Sequence, residues 1–197
     1  MQDRKVLSRA GACAALLVAL AMVANPILRA QDAKPAVEEP QYVGQFVALG
    51  PDAKLVPLEQ QKPIYQMKTK NHFINVTASG EQTVPGASSS VRLSPDVHFI
   101  VRIPAGMENT DPNTLMSLKP FMVKKDVRSI ATVSAKAGMF QGAKGGQAAD
   151  TSIALTFKKY GENSLEVIPS QPLPAGEYAL SAANNGQSVF CFGVDAK

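Results

Sequence analysis

The chain has 197 residues, two cysteines and a formal net charge of +4. Both inventories shrink if residues 1–30 are a cleaved secretory signal: Arg4, Lys5, Arg9 and Arg29 leave together with Asp3 alone on the acidic side, so +1 and the single Cys191 remain. An internal disulfide is then excluded, and overall composition gives no support for a basic patch that would bind nucleic acid or anionic lipid.

Taken in chain order, Arg4, Lys5 and Arg9 precede an uncharged apolar run from Ala10 to Ala24. That order matches the n- and h-regions of an export signal. At about 15 residues the run is short of the ~20 needed to span a bilayer as a helix. Cys13 lies early in this run, without the leucine of a lipobox three positions ahead, and reads as an ordinary h-region residue. Cleavage is expected near Ala30, giving a mature chain in the periplasm or outside the cell, with no transmembrane segment. Residues 31–40, QDAKPAVEEP, read as an extended linker, and residues 41–197 as one domain, of a size that buries about 70% of its extended-chain surface.

From Tyr42 onward, short runs rich in Val, Ile, Phe and Thr alternate with Gly, Pro, Asn and Asp, the pattern of an all-β chain. The expected strands are QYVGQFVAL, KLVPLE, IYQMKT, HFINVTA, SSVRL, VHFIVRI, FMVK, VRSIATVSA, SIALTFKKY, SLEVI, EYALSA and SVFCFGV. In VHFIVRI, Val97, Phe99, Val101 and Ile103 share one face, with His98, Ile100 and Arg102 on the other. Gly50-Pro51-Asp52-Ala53 and Asn184-Asn185-Gly186 read as turns between antiparallel strands. Asp111-Pro112 signals a helix start, with Asp as cap and Pro at the first helical position, and the helix is expected over 111–118. Residues 138–150, GMFQGAKGGQAAD, are poor in β-branched residues and read as a long mobile loop.

Chemistry is sparse. Lys144 lies in a glycine-rich stretch, but it follows Ala143 and precedes Gly145, which is not the Gly-Lys-Ser/Thr order of a phosphate loop. Ser88, Ser89 and Ser90 follow Pro85-Gly86 without a Gly-x-Ser-x-Gly elbow, and read as a turn. The two histidines, His72 and His98, fall in expected strands, and Asp96 stands two residues before His98, where it could orient the imidazole. With Cys191 or His72 recruited from a neighbouring strand, Asp96 and His98 could form a three-ligand metal site, yet no His-x-His, His-Glu-x-x-His or paired-cysteine spacing is present. His98 is expected to face solvent. Cys191, between Phe190 and Phe192, reads as a buried thiol in a central strand covered on both faces.

Leu173-Pro174-Ala175-Gly176-Glu177-Tyr178 and the final Val189-Phe190-Cys191-Phe192-Gly193-Val194-Asp195 are the most specific segments. They resemble the last two strands of immunoglobulin-like sandwiches, in which a Tyr placed like Tyr178 bonds back to the backbone. They are also similar to the ending of uncharacterised exported bacterial β-sandwich proteins with a Pro-x-Gly-Glu-Tyr strand and a terminal Phe-Gly-Val-Asp. That resemblance implies a fold and no activity.

The expectation is therefore an all-β antiparallel sandwich, immunoglobulin-like in its C-terminal half, with one short helix near 111–118. Its function is read as non-catalytic binding or envelope interaction, with a protein or envelope partner, no nucleic acid, no cofactor and no assigned catalytic or metal residue. The alternative is an exported hydrolase or metal-dependent enzyme using His98, Asp96 and His72. The two readings part on whether those side chains converge in one cleft.

Overall fold

The computed structural model describes residues 37–72, 75–138, 142–182 and 187–196. It is an all-β fold with one short α-helix among the described residues, and its strands form three largely antiparallel sheets. The front sheet has the order β12 (Leu155–Tyr160), β13 (Ser164–Pro169), β7 (His98–Arg102), β1 (Phe46–Leu49), β2 (Leu55–Pro57). The central sheet runs β3 (Glu59–Gln61), β15 (Val189–Val194), β14 (Gly176–Ala182), β8 (Met116–Pro120), with β6 (Arg92–Leu93) parallel to β15. The outer sheet runs β11 (Gly142–Gln147), β10 (Val127–Gly138), β5 (Asn75–Pro85), β4 (Ile64–His72), with β9 (Met122–Lys124) also paired to β10.

Period-2 alternation builds the core between the front and central sheets. Phe46, Ala48, Phe99, Val101 and Val167 meet Met116, Leu118, Tyr178, Leu180, Phe190, Phe192 and Val194. Two ring pairs cross the interface, Phe46–Phe190 at 5.4 Å and Phe99–Phe192 at 4.9 Å between centroids. The opposite face of the central sheet, Ala179, Val189 and Cys191, packs on Val84 and Ile130 of the outer sheet and on Phe121. All of β15 is therefore buried, as a strand covered on both faces must be.

Several sequence expectations need correction. The helix caps as expected, the Asp111 side chain accepting from Asn113 N with Pro112 at the first position, but it ends at Leu115. From Met116 the spacing is that of a strand, and β8 buries Met116 and Leu118 in the core, outweighing a second helical turn. Residues 142–147 of the expected mobile loop form β11, paired residue by residue with β10 from Val133↔Gln147 to Gly138↔Gly142. Small side chains weaken a strand only modestly, and the continuous backbone ladder with β10 supplies the pairing. HFINVTA is not one strand: His72 ends β4 and Asn75 begins β5, and the two pair with each other. Residues 73–74, 139–141 and the 184–186 turn lie outside the described residues, as do 1–36. The Gly50–Ala53 turn is present, with Asp52 and Ala53 at φ of 61° and 59°.

Residues 37–40, expected within the linker, are tied to the front sheet. The Glu39 carboxylate accepts from Glu162 N (2.6 Å), Asn163 N (3.1 Å) and Ser164 Oγ (2.6 Å). Gly161, at φ +61°, leaves room for that carboxylate, because a Cβ there would collide with it. Partial burial alone would raise the pKa of Glu39, but these bonds and the Arg102 charge hold it below the usual carboxylate range.

Candidate interaction surface and buried charge cluster

The candidate residues from the sequence fall in three different sheets. His98 begins β7 of the front sheet, Cys191 lies in β15 of the central sheet, and the backbone of His72 ends β4 of the outer sheet. Asp96 belongs to the turn ahead of β7, and the carboxylate that meets His98 is Glu166 of β13, at 2.7 Å from Nδ1. Nor is His98 a fully solvated side chain: it is half-buried beside Ile100, and Val47, paired with Ile100, is buried as well. Strand pairing thus gives His98 a carboxylate other than the Asp96 of the enzymatic alternative, and a different sheet from the backbone of His72. Among the described residues, no group of three or more His, Cys, Asp or Glu could hold a metal ion, and no helix is long and apolar enough to cross a membrane.

The sequence reading overlooked a buried charge cluster that joins the outer sheet to the central one. Arg128 of β10 is 1% exposed. Its guanidinium donates to Glu59 (2.8 and 3.3 Å) and to the Pro85 and Gly86 carbonyls (each 3.1 Å), and lies 3.7 Å from Glu177. The Phe121 ring stands 5.6 Å from it, within cation–π range. Glu177 also accepts from Ser89 N at 2.8 Å and from Arg92, whose remaining donors reach Asp195. Gly193 makes room for Arg92, since a Cβ there would overlap the guanidinium. Burial alone would raise the pKa of Glu59, but donors from Arg128, Ser89 and Gln61 bring it down to about 2. Burial pushes the Cys191 thiol up to about 12, against the partial opposing effect of Arg128. The Arg128 ion pairs, enclosed between the two sheets, suit a clasp between layers. Ser89, one of the serines read as a turn, is buried in it and donates Oγ to the Cys191 carbonyl.

A cavity of about 330 Å³ is lined by residues of the same two sheets, among them Gln82, Ile130, Ala179 and Val189. Its polar groups are largely paired with each other: Ser117 with Ser181 at 3.0 Å, and Lys119 with Asp150 at 3.8 Å.

The outer sheet has the geometry of a contact surface. Only part of its inner face, at Val84, Arg128 and Ile130, packs on the central sheet. Further along, β4 and β11 are exposed throughout their described side chains. Strand β5 serves as a ruler for the two faces. Gly80 pairs with Met67 and Val133, Ala78 with Thr69 and Ala135, and Val76 with Asn71 and Ala137, so the inner face continues as a flat surface of small and apolar residues. Met67, Val76 and Val133 are 69%, 41% and 39% exposed, which marks this face as unpartnered in the isolated chain. Both edge strands, β4 and β11, are open to further pairing.

Compared with protein-family models, curated proteins and solved structures, the chain matches none. The functional reading therefore rests on the geometry above.

Proposed function

We propose that this is an exported, non-catalytic binding or envelope-interaction protein acting in the periplasm or outside the cell. In this reading residues 1–30 are a cleaved signal, and the C-terminal strand pair is immunoglobulin-like. The observation that carries the proposal is the outer sheet, which extends exposed apolar surface and two open edges beyond the part packed on the sandwich. Strand addition and face docking are common ways for such sheets to meet partners. Support for the immunoglobulin-like detail comes from Tyr178, whose hydroxyl donates to the Pro174 carbonyl at 2.7 Å.

Deleting residues 69–78 and 135–145 would close both long hairpins on the paired row of Met67, Gly80, Val133 and Gln147. The sandwich and the Arg128 clasp would remain. In cell fractionation, the wild-type chain should be recovered from the envelope or medium with its N-terminus near Gln31 and should be retained by envelope material. The shortened chain should be exported equally and not retained. Equal retention of both would refute the assignment to the outer sheet, and a Met1 terminus on the recovered protein would refute export.

A further inference from the structure

The solvent-facing side of the outer sheet differs sharply from its inner side, and the register shows why. On β5, residues 77, 79, 81, 83 and 85 share that face. Thr77 pairs with Lys70 and Lys136, and Lys136 with Lys144, so three lysines lie in one row across four strands. Ser79 in the next row pairs with Lys68. Lys124 joins the face through Val127, which pairs with Pro85. Against Lys68, Lys70, Lys124, Lys136 and Lys144 the face carries one carboxylate among the described residues, Glu81, which is bonded to Lys68 at 2.6 Å. The Lys68 hydrogen bond is the largest influence on Glu81, and together with the Lys124 and Lys70 charges it holds the pKa below the ordinary value.

Two further features narrow the partner. Lys136 and Lys144 stand directly opposite one another on neighbouring strands, an arrangement of like charges that costs stability unless an anion relieves it. Beside the lysines, the same face exposes Ile64 (58%), Met122 (44%) and Val127 (41%). Among its described residues the face carries no Phe, Tyr or Trp to stack a base, as a single-stranded nucleic acid would require. Lysines spread in two dimensions over a four-stranded face about 14 Å wide, with apolar groups on the same face, match a field of phosphates above hydrocarbon.

We propose that this face docks on the surface of an anionic lipid bilayer, with the lysines meeting phosphate headgroups and Ile64, Met122 and Val127 entering the interface. The inference rests on the binding reading above and names its partner. Flotation of the full chain with phosphatidylglycerol–phosphatidylcholine vesicles, and with phosphatidylcholine vesicles alone, tests it. Residues 1–36, with Arg4, Lys5 and Arg9 ahead of an apolar run, are common to every variant, so the deciding comparison is between variants on the same vesicles. The wild type should prefer the anionic vesicles, and the preference should fall as salt is raised. Lys136→Gln with Lys144→Gln should weaken that binding roughly 30-fold, from about fivefold per lysine near an anionic surface. Because this change removes a like-charge pair, it should leave the fold intact. Lys136→Arg with Lys144→Arg should retain binding, and Met122→Ser should weaken it. Equal affinity for both vesicle types, or an unchanged Gln double variant, would overturn the proposal. So would binding to soluble polyphosphate but not to vesicles. Retention by cell envelopes without vesicle binding would remove the lipid assignment while leaving the wider binding reading in place.

Discussion

Glu59→Gln is the most direct test of the clasp between the outer and central sheets. The substitution keeps shape and removes charge, so Arg128, 1% exposed, would retain the Pro85 and Gly86 carbonyls, the Glu177 carboxylate at 3.7 Å and a single bond to the amide oxygen at position 59. Removing one partner of a buried ion pair costs about 3–5 kcal/mol, and the amide oxygen, which still accepts one bond, places the cost near the lower end. The acid equilibrium leads to a similar figure. The Glu59 carboxyl is lowered from 4.5 to about 2, burial opposing and the Arg128, Ser89 and Gln61 donors outweighing it. At about 1.4 kcal/mol per unit, that is on the order of 3 kcal/mol. Since the folded-state pKa is depressed, this contribution is complete above about pH 4.5 and is lost as the pH falls towards 2. Urea melts of wild type and variant should therefore differ by about 3 kcal/mol at pH 7 and converge near pH 2. A gap that stays constant with pH, or one below about 1 kcal/mol at pH 7, would refute the role assigned to the pair.

Two further outcomes follow from buried groups in the central sheet. Tyr178→Phe removes the bond to Pro174 and should cost about 1–3 kcal/mol, whereas Tyr178→Ala, which also empties the space against Phe192, should cost about 3–5 kcal/mol; denaturant melts decide, and a change of only a few tenths for Tyr178→Phe would mean a solvated hydroxyl. Cys191, fully buried with its pKa pushed up to about 12, should react with a thiol reagent only at the rate of unfolding, and rapid labelling of native protein or a reductant-sensitive dimer would contradict this.

What could be read directly from the chain were features set by near neighbours. The all-β class followed from alternation such as that of Val97, Phe99 and Val101, the turn at Gly50–Ala53 from its residue types, and the helix start from Asp111-Pro112. The bond from Tyr178 into the preceding connection spans only four residues, and the covered centre of β15 showed in its unbroken apolar run. Pairing across distant segments was hidden. Arg128 reads as a surface residue because its partner Glu59 is 69 positions away, and it is burial between two sheets that makes the pair a clasp. The lysine-bearing face likewise showed as no charge run, since Lys70, Lys136 and Lys144 are brought into one row only by the registers of β4, β5, β10 and β11. Local propensity depends on a few consecutive residues, whereas register and layer order are settled by the collective burial of all the strands, so the charge cluster and the contact face exist only in the folded chain.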